Sequence, residues 1–360
     1  MVSREPSDVP EPTDSWEPND VPEPAEVREL RSAPAILPLY ARTVAPMLPG
    51  ASLLPFIGGR GQEIPELRLG LAGIAVDPDR LAAYVHVCGL SLRESLPATY
   101  PHVLAFPLHL ALMADRRFPF AAVGLVHVAN RITLHRPVSV EERLDLLVYA
   151  TPLRPHPRGR VFSLVSEARV EGELVWDDES TMLRRGSGAA PNGEAGSSET
   201  ATGGAPGGGA ADAEEPDVVL ANAEVCARTR AGAREDAELP ASARWELPGD
   251  LGRRYAGVSG DRNPIHMRAL SAKALGFPRA IAHGMWTKAR CLAALEGLLP
   301  DAYAVQVRFR RPIELPATVA FASEAFGANI DFEVRDAGRG TPHLTGRVEQ
   351  LGKTEERSRS

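Results

Sequence analysis

The chain has 360 residues, of which 44% are hydrophobic and 24% charged, with a formal net charge of −7 at pH 7. This length allows two or three domains, and the net charge argues against a nucleic-acid partner, which would need a clustered basic face. No apolar run is long enough to span a bilayer, so we expect no membrane insertion. Cys88, Cys226 and Cys291 lie far apart and form no CxxC pair, which predicts a reduced, cytoplasmic protein rather than a disulfide scaffold.

The chain begins with a polar, acidic and proline-rich segment in which Glu-Pro and Asp-Val-Pro recur. Such a segment buries too little apolar area to offset the entropy of ordering, and it lacks the basic and apolar regions of a signal peptide. A second segment is rich in Gly and Ala and has no Lys or Arg, which is typical of a flexible linker. The predicted organisation is a disordered N-terminus at 1–35, an N-terminal unit at 36–185, a disordered linker at 186–216, a C-terminal unit at 217–352 and a disordered tail at 353–360.

Each unit is predicted to contain an apolar helix followed by antiparallel strands. In the N-terminal unit the helix covers 103–114, and the pattern at 162–176 predicts a hairpin. In the C-terminal unit the helix covers 284–298, a strand with one buried face follows at 305–313, and 330–351 predicts a hairpin with a Gly-rich turn. One long helix followed by an antiparallel sheet favours an α+β fold in which the sheet wraps around the helix.

The two units look like copies of each other. Residues 76–91 align without gaps with residues 247–262, and a second match follows at the start of each set of strands. The matched residues are Tyr84 with Tyr255, Gly89 with Gly260, and Arg136-Pro137 with Arg311-Pro312. Their common order and near-equal spacing indicate a duplication.

A candidate reactive loop lies in the C-terminal unit, in the stretch RRYAGVSGDRNPIH at 253–266. Pro264 prevents a continuous helix, so a turn can bring the carboxyl group of Asp261 and the imidazole of His266 toward one point. The ordinary pKa values of these groups, ~3.9 and ~6.5, suit a pair in which one group holds or deprotonates water while the other handles a second proton. Asn263 offers an amide to orient either partner. The alternative is an Asp-Asn-Pro turn with a capping histidine.

A second candidate site is the stretch RAIAHGMW at 279–286, where the apolar helix is expected to begin. The first N–H groups of a helix are unpaired, and Gly284 would let a ligand approach them, so they could receive a developing oxyanion. Alternatively, Gly284 eases entry into the helix and His283 is a structural or pocket-lining residue. Asp261, His266 and His283 could in principle bind zinc, but their spacing does not single out such a site, and we predict no metal.

Together these motifs resemble the MaoC-like (R)-specific enoyl-CoA hydratase family. The matching residues are Tyr255, Ser259-Gly260-Asp261, Asn263-Pro264-Ile265-His266, Gly276-Phe277 and Ile281-Ala282-His283-Gly284-Met285. The resemblance implies a hotdog fold, an antiparallel sheet wrapped around a central helix, and with the duplication it implies a double hotdog. It implies catalysis by Asp261 and His266. The residues implied in support are Asn263, Ser259 and Tyr255, and those implied at the thioester are Gly284, His283 and Met285.

The N-terminal unit lacks the titratable residues of the reactive loop. Leu90, Leu92 and Ser95 stand at the positions of Asp261, Asn263 and His266. We therefore expect this unit to have lost the chemistry and kept the packing. In double-hotdog relatives such a half shapes the acyl pocket, and the resemblance implies the same here.

The implied activity is reversible hydration of trans-2-enoyl-CoA thioesters to (R)-3-hydroxyacyl thioesters, with no cofactor. We expect Asp261 to act as the base and His266 to orient water. A 3-hydroxyacyl-ACP dehydratase of a fatty-acid or polyketide type pathway stays open, so the expected partner is an acyl-CoA or acyl-ACP substrate. A non-catalytic acyl-thioester binding subunit is disfavoured by the intact loop. A hotdog thioesterase is disfavoured because the second helix has no acid before Glu296.

Two further questions stay open in the sequence. The chain could be a monomeric pseudo-dimer or a homodimer. Arg308, Arg310, Arg311 and Lys288 are candidates for attracting a phosphorylated carrier arm, although a solvated strand face is the favoured interpretation of these residues.

Overall fold

The computed structural model describes most of both predicted units. The described residues are 26–44, 61–120, 122, 124–185 and 239–352. The predicted linker and tail lie outside them, as does the start of the C-terminal unit up to residue 238. Among the helices of the described residues, none is long and apolar enough to cross a membrane.

The N-terminal unit contains a central helix, α3, together with shorter helices and a run of strands. Its elements are β1 (Glu26–Leu30), α1 (Ile36–Val44), β2 (Leu67–Ile74), α2 (Pro78–Cys88), α3 (Tyr100–Met113), β3 (Leu125–Leu134), β4 (Leu144–Ala150), β5 (Arg154–His156), β6 (Gly159–Val170) and β7 (Glu173–Arg185). The predicted helix at 103–114 is α3, and the predicted hairpin at 162–176 is formed by β6 and β7. Glu171 and Gly172 close this hairpin, both with positive φ.

Residues 26–35 correct the predicted N-terminal boundary. The sequence predicts disorder up to residue 35, whereas β1 pairs in parallel with β2. The edge of β2 supplies hydrogen bonds that this short segment cannot make alone. Glu26 also forms ion pairs with Arg28 at 2.7 Å and Arg117 at 2.8 Å. The sequence did not indicate β1, because its partner β2 lies elsewhere in the chain. The composition around β1 is that of a disordered segment.

The C-terminal unit repeats this arrangement around its own central helix, α7. Its elements are β8 (Ala241–Leu247), α4 (Leu251–Ser259), α5 (Pro264–Met267), α6 (Ala269–Ala274), α7 (Gly284–Leu295), β9 (Tyr303–Phe309), β10 (Ala317–Phe326), β11 (Asn329–Asp336) and β12 (Pro342–Gln350). The predicted helix at 284–298 is α7, the predicted strand at 305–313 is β9, and the predicted hairpin at 330–351 is formed by β11 and β12.

The strands form one 12-stranded sheet that runs through both units. Its order is β1-β2-β4-β6-β7-β3-β9-β12-β11-β10-β8, with β5 paired to β6 off this path. The units meet where β3 and β9 pair antiparallel, and Arg131 there lies opposite Gln306. These two residues are equivalent when Arg136-Pro137 is aligned with Arg311-Pro312. A twofold pseudo-axis therefore passes between them, and strand order outward from it is equivalent on both sides.

The helices follow the same symmetry. Both α3 and α7 are buried on nearly all sides, as expected of helices that a sheet encloses. The shorter helices α2 and α4 pack together, with the ring centroids of Tyr84 and Tyr255 6.2 Å apart. Each ends at a left-handed glycine, Gly89 with φ 71° and Gly260 with φ 80°. The predicted α+β class, with a sheet wrapped around a helix in each of two copies, is confirmed.

Candidate active site

The predicted reactive loop follows α4, and short-range hydrogen bonds fix its shape. Ser259 Oγ donates to the Tyr255 carbonyl at 2.9 Å and accepts from the Asp261 amide at 3.2 Å. Asn263 caps α5, with its Oδ1 accepting from the Ile265 amide at 3.4 Å. Ser259, Tyr255 and Asn263, the residues implied in support, therefore contact the backbone of the loop; their part in catalysis stays a prediction.

Close packing of α4 against α5 positions His266. A Cβ added at Gly252 would lie 2.0 Å from the His266 carbonyl oxygen. Since real Cβ atoms do not approach oxygen so closely, the loop reaches this position only because residue 252 is glycine. Gly252 is not part of the motif found in the sequence. Its role depends on the contact with His266, which the sequence pattern does not identify.

Asp261 receives hydrogen bonds from both units. Its Oδ1 accepts from the Tyr40 hydroxyl at 2.8 Å and from the Asn263 amide at 3.1 Å. The Tyr40 oxygen in turn accepts from the Arg262 amide at 2.9 Å. Tyr40 lies on α1 of the N-terminal unit, and sequence reasoning missed it because nothing near residue 40 marks a contact with a loop in the other unit.

The environment of Asp261 favours its carboxylate form. Burial works to raise the pKa of this group, but the nearby His283 and His266 and the hydrogen bonds from Tyr40 and Asn263 outweigh burial and lower the pKa below its ordinary value. The side chain keeps 28% of its surface exposed. Asp261 is therefore ionised at neutral pH and accessible from the cavity.

His266 is held as a neutral base. Its Nδ1 lies 2.8 Å from the Ile281 carbonyl oxygen. A carbonyl can only accept, so Nδ1 carries the proton and Nε2 keeps a lone pair. Burial lowers the pKa of His266, against the opposing effect of Asp261 and the Ile281 hydrogen bond. The predicted pair is thus brought together in one loop. At neutral pH Asp261 is a carboxylate, and His266 is a neutral ring whose Nε2 carries no proton.

His283 lies between the two motifs and supports both of them. Its ring stacks on His266 with centroids 3.7 Å apart. Its Nε2 lies 3.0 Å from the backbone oxygen of Asp261, to which it donates, and 3.7 Å from Oδ2 of the same residue. Burial lowers its pKa to about 3, so this neutral ring orients the loop. Its Nδ1 is buried and has no hydrogen-bond partner among the described residues.

Gly284 begins α7, as predicted, and Met285 follows it in the first turn. Because the first amides of a helix have no carbonyl in a preceding turn to bind, they are available to a ligand oxygen. The structure gives the glycine a further reason, since a Cβ at Gly284 would lie 2.8 Å from the ring of Phe309. The missing Cβ of Gly284 thus leaves room for the Phe309 side chain of β9.

The geometry of the site bears on the alternative that Asp261, His266 and His283 bind a metal ion. Ligand atoms of Asp261, His266 and His283 lie within 4.8 Å of one another. However, the His266 and His283 rings are stacked at an interplanar angle of 25°, which directs their lone pairs side by side rather than toward a shared point. The absence of a metal stays a prediction.

A cavity of about 210 Å³ connects the two predicted motifs and continues into the N-terminal unit. Asp261, His266, His283 and Gly284 line one part of it. The side contributed by the N-terminal unit includes the apolar residues Phe106, Met113, Leu164 and Met182 and the histidines His102, His109 and His127. The cavity at the candidate site is therefore shared between the units.

The N-terminal unit contributes to the candidate site in two ways besides packing. This unit supplies Tyr40 to the acid Asp261, and it supplies polar as well as apolar side chains to the cavity. Neither contribution occupies the aligned positions Leu90, Leu92 and Ser95, which is why the alignment did not reveal them.

The degenerate loop of the N-terminal unit is closed by α7. Trp286 Nε1 donates to the Val87 carbonyl at 3.0 Å, and the Arg290 guanidinium donates to the Gly89 carbonyl at 3.3 Å. The Ser91 amide donates to the carboxylate of Glu296 at 2.9 Å. These side chains thus hold the backbone of the degenerate loop against α7.

The structure places the four basic residues that were candidates for attracting a carrier arm in different environments. Arg310 and Arg311 line the cavity, and Arg311 is exposed. Lys288 is fully buried and bonds to Asn130 and to the Val305 carbonyl, so it cannot attract a carrier from solution. Arg308 lies on β9 and is not among the cavity-lining residues.

Comparisons with known proteins identify the family and the fold of the chain. The MaoC like domain family matches residues 234–346. A Mycobacterium tuberculosis protein named 3-hydroxyacyl-thioester dehydratase X is 33% identical over 301 residues, which cover 84% of this chain and 95% of the relative. The crystal structure of HtdX from the same organism superposes with a TM-score of 0.62 at 32% identity, covering 79% of this chain and all of that one. A MaoC-like dehydratase from Phytophthora capsici shares the fold, with a TM-score of 0.58 at 15% identity and coverage of 81% and 97%.

Proposed function

We propose, from the premise that the chain belongs to the MaoC-like dehydratase family and is a hydratase or dehydratase, that it interconverts trans-2-enoyl and (R)-3-hydroxyacyl thioesters. The observation that supports this proposal is the pair formed by Asp261 and His266. A carboxylate and an imidazole lone pair face one cavity beside the start of a helix. This is the arrangement needed to hold a water molecule against an activated double bond.

In the hydration direction the oxygen of the bound water attacks C3 of the enoyl thioester. Asp261 accepts one proton from this water, and His266 Nε2 accepts a hydrogen bond from its other O–H. The electron pair of the double bond moves toward the thioester oxygen and returns when C2 takes up a proton. The products are a C3–OH bond and a C2–H bond, so that one water has been added.

The protonation states restrict where the C2 proton comes from. Neither Asp261 nor the Nε2 of His266 carries a proton at neutral pH, because the pKa of each is lowered. The proton delivered to C2 is therefore the one that Asp261 took from the water. A single group that serves both steps must lie on one face of the substrate, which supports syn addition.

Charge that develops on the thioester oxygen is stabilised at the start of α7. In this proposal the amides of Gly284 and Met285, in the first turn of α7, donate to this oxygen, and His283 holds the preceding backbone against the catalytic loop. Losing one donor of this kind typically costs about 3 kcal/mol of transition-state stabilisation.

The carrier is either CoA or acyl carrier protein. Both present a phosphorylated pantetheine arm, and the guanidinium groups of Arg310 and Arg311 at the cavity suit a phosphate. The relative named 3-hydroxyacyl-thioester dehydratase X supports a thioester substrate for this chain without choosing between the carriers. A cytoplasmic location, the absence of a cofactor, and a monomeric pseudo-dimer or homodimer stay predictions.

Substitution of the two proposed catalytic residues tests the function. Asp261→Asn and His266→Ala should each lower the rate of hydration of a crotonyl-type thioester by at least about a hundredfold, while circular dichroism and melting temperature show a retained fold. Asp301→Asn, at an exposed carboxylate, should match the wild type.

Two results would contradict the proposal. Near-full activity in both catalytic variants would remove Asp261 and His266 from the mechanism. Wild-type protein that binds acyl thioesters but turns over neither enoyl-CoA nor enoyl-ACP would favour the non-catalytic binding subunit. Measuring free thiol in the same reactions distinguishes a thioesterase from water addition.

A further inference from the structure

The mouth of the cavity is formed by basic residues. Among the described residues that line the cavity, the exposed ones are Arg185, Arg311 and Pro312, so the cavity opens to solvent at these positions. Arg158 and Arg310 also line it and are half-buried. We call Arg158, Arg185, Arg310 and Arg311 the mouth arginines.

The order of the strands brings the mouth arginines together at one end of the sheet. β7 ends at Arg185, and its partner there is the first residue of β6, which Arg158 precedes. β9 ends just before Arg310 and Arg311. Because β3 lies between β7 and β9, the two pairs of arginines extend from strands that are about 10 Å apart. Each unit thus supplies one pair.

The segments that form this end of the sheet contain no Asp or Glu, although the whole chain has a net charge of −7. These segments are 124–128, 151–162, 181–185, 307–313 and 341–345. Asp336, on the next strand outward, has its carboxylate bound by the amides of Gly338 and Arg339. Among the described residues that line the cavity, Asp261 of the catalytic loop is the one carboxylate. The mouth is therefore positively charged, which favours an anionic ligand.

The mouth arginines are connected to the proposed thioester site by the cavity. The ring of Phe309 lies against Gly284, where α7 begins, and Arg310 and Arg311 follow Phe309 in the chain. All four of these residues line the same cavity. A thioester held at the start of α7 can therefore extend its carrier arm past Phe309 to the guanidinium groups at the mouth.

The two possible carriers differ in the phosphate groups that they bring to the mouth. The arm of an acyl carrier protein has a single phosphodiester, whereas CoA has a diphosphate and a separate 3′-phosphate. Arginine is suited to phosphate because its planar guanidinium donates two parallel hydrogen bonds. A single phosphodiester would leave one pair of mouth arginines without an anion. The diphosphate and the 3′-phosphate of CoA match the two pairs.

We propose that the mouth arginines bind the phosphates of CoA, and that the substrates are CoA thioesters rather than thioesters of acyl carrier protein. One phosphate group of CoA binds to Arg158 and Arg185 of the N-terminal unit, and the other binds to Arg310 and Arg311 of the C-terminal unit. This inference rests on the proposed function, since it names the carrier of the acyl group in that site.

Binding of saturated thioesters tests the inference without turnover. The probes are butyryl-CoA, butyryl-3′-dephospho-CoA and butyryl-pantetheine, titrated into the full chain by calorimetry at one salt concentration. We expect butyryl-CoA to bind at least about tenfold more tightly than butyryl-pantetheine, and the dephospho ligand to lie between them. The double variant R185A/R311A should reduce this preference to about threefold or less and leave the affinity for butyryl-pantetheine unchanged.

Kinetics with the two carriers give a second readout. The wild type should have a higher kcat/KM on crotonyl-CoA than on crotonyl-ACP. In R185A/R311A the KM for crotonyl-CoA should rise by at least about fivefold while kcat changes little, because the phosphates contribute equally to binding of the substrate and of the transition state.

Arg184 provides the matched control for Arg185. It is the neighbouring residue on β7, is exposed and does not line the cavity, since successive side chains of a strand point to opposite faces. Arg184→Ala removes the same charge and should keep the preference for butyryl-CoA within about twofold of the wild type, because salt screens exposed charges that do not touch the ligand. Melting temperatures of all variants should match the wild type.

Three outcomes would overturn the inference. The first is wild-type protein that binds butyryl-CoA no more tightly than butyryl-pantetheine. The second is an equal effect of Arg184→Ala and Arg185→Ala, which would indicate general attraction by the surface charge. The third is a higher kcat/KM on crotonyl-ACP that R185A/R311A lowers, which would assign the mouth arginines to an acidic carrier protein. Phosphate-dependent binding without turnover of crotonyl-CoA would reject the proposed function alone.

Discussion

A single hydrogen bond from the N-terminal unit reaches Asp261, the proposed base of the C-terminal unit. The Tyr40 hydroxyl donates to Asp261 Oδ1, and this bond is one of the interactions that lower the pKa of Asp261. It also fixes the direction in which the second carboxylate oxygen points. In the proposed mechanism Tyr40 is therefore a positioning residue, which acts on substrate through Asp261.

Replacing Tyr40 with phenylalanine should separate rate from binding. Tyr40→Phe removes one hydrogen bond to a charged group, which is worth about 2 kcal/mol, so we expect kcat to fall by about tenfold or more while KM changes little. The pKa of Asp261 should rise without this donor, because the carboxylate loses a stabilising bond. Since the carboxylate form is the active one, the acid limb of the rate profile should move to higher pH.

The control for this change lies on the same helix. Leu37 of α1 is 68% exposed, so Leu37→Ala tests disturbance of α1 without touching Asp261 and should leave kcat and the pH profile unchanged. Equal kcat values for Tyr40→Phe and wild type, with an unmoved acid limb, would show that Tyr40 does not position Asp261.

At the scale of elements, the contact between α4 and α5 sets the position of His266. Gly252→Ala should push the His266 backbone away, because the added Cβ would lie 2.0 Å from its carbonyl oxygen. We expect kcat to fall by about tenfold or more, since small displacements of a catalytic group are costly. Rates on a crotonyl-type thioester and thermal melting measure the effect.

Gly257 provides a matched substitution in the same helix. A Cβ added there meets nothing within 4 Å, so Gly257→Ala should keep full activity and gain up to about 1 kcal/mol of stability from better helix propensity. If both alanine variants behave alike, helix propensity and not the contact with His266 explains the result.

Elements with local signals could be predicted from the sequence. The helices α3 and α7 and the hairpins show their apolar periods within one segment, and the loop from Ser259 to His266 fixes its own shape by short-range hydrogen bonds. β1 and Tyr40 could not be predicted in the same way. β1 depends on an edge of β2, and Tyr40 acts on a loop in the other unit.

At the scale of the whole molecule, a buried polar network joins the two units. Lys288 of α7 is fully buried and bonds to Asn130 of β3, which bonds in turn to Asp178 of β7. Asp178 also pairs with His102. A hydrogen-bonded network of this kind specifies one packing of α7 against the N-terminal sheet, because any shift would leave a buried charge unpaired.

The pH dependence of stability should report on Lys288. Burial lowers its pKa from 10.5 to about 7, so between these values the unfolded chain binds a proton that the folded chain does not. Stability due to this residue therefore rises with pH, by about 1 kcal/mol per unit across that range. Denaturant unfolding of wild type and Lys288→Met should diverge as the pH increases, with the wild type gaining relative to the variant.

An exposed lysine provides the control for this measurement. Lys273 of α6 is exposed, and Lys273→Met should follow the wild type at every pH. A constant difference between wild type and Lys288→Met across the same range would mean that Lys288 keeps an ordinary pKa in the folded protein.

The contacts that Trp286, Arg290 and Glu296 make with the degenerate loop bear on the stoichiometry of binding. This loop lacks the titratable residues of the reactive loop, so we expect the proposed acyl substrate to bind at one site per chain. Saturation is then expected to follow a simple hyperbola, without cooperativity between the two units.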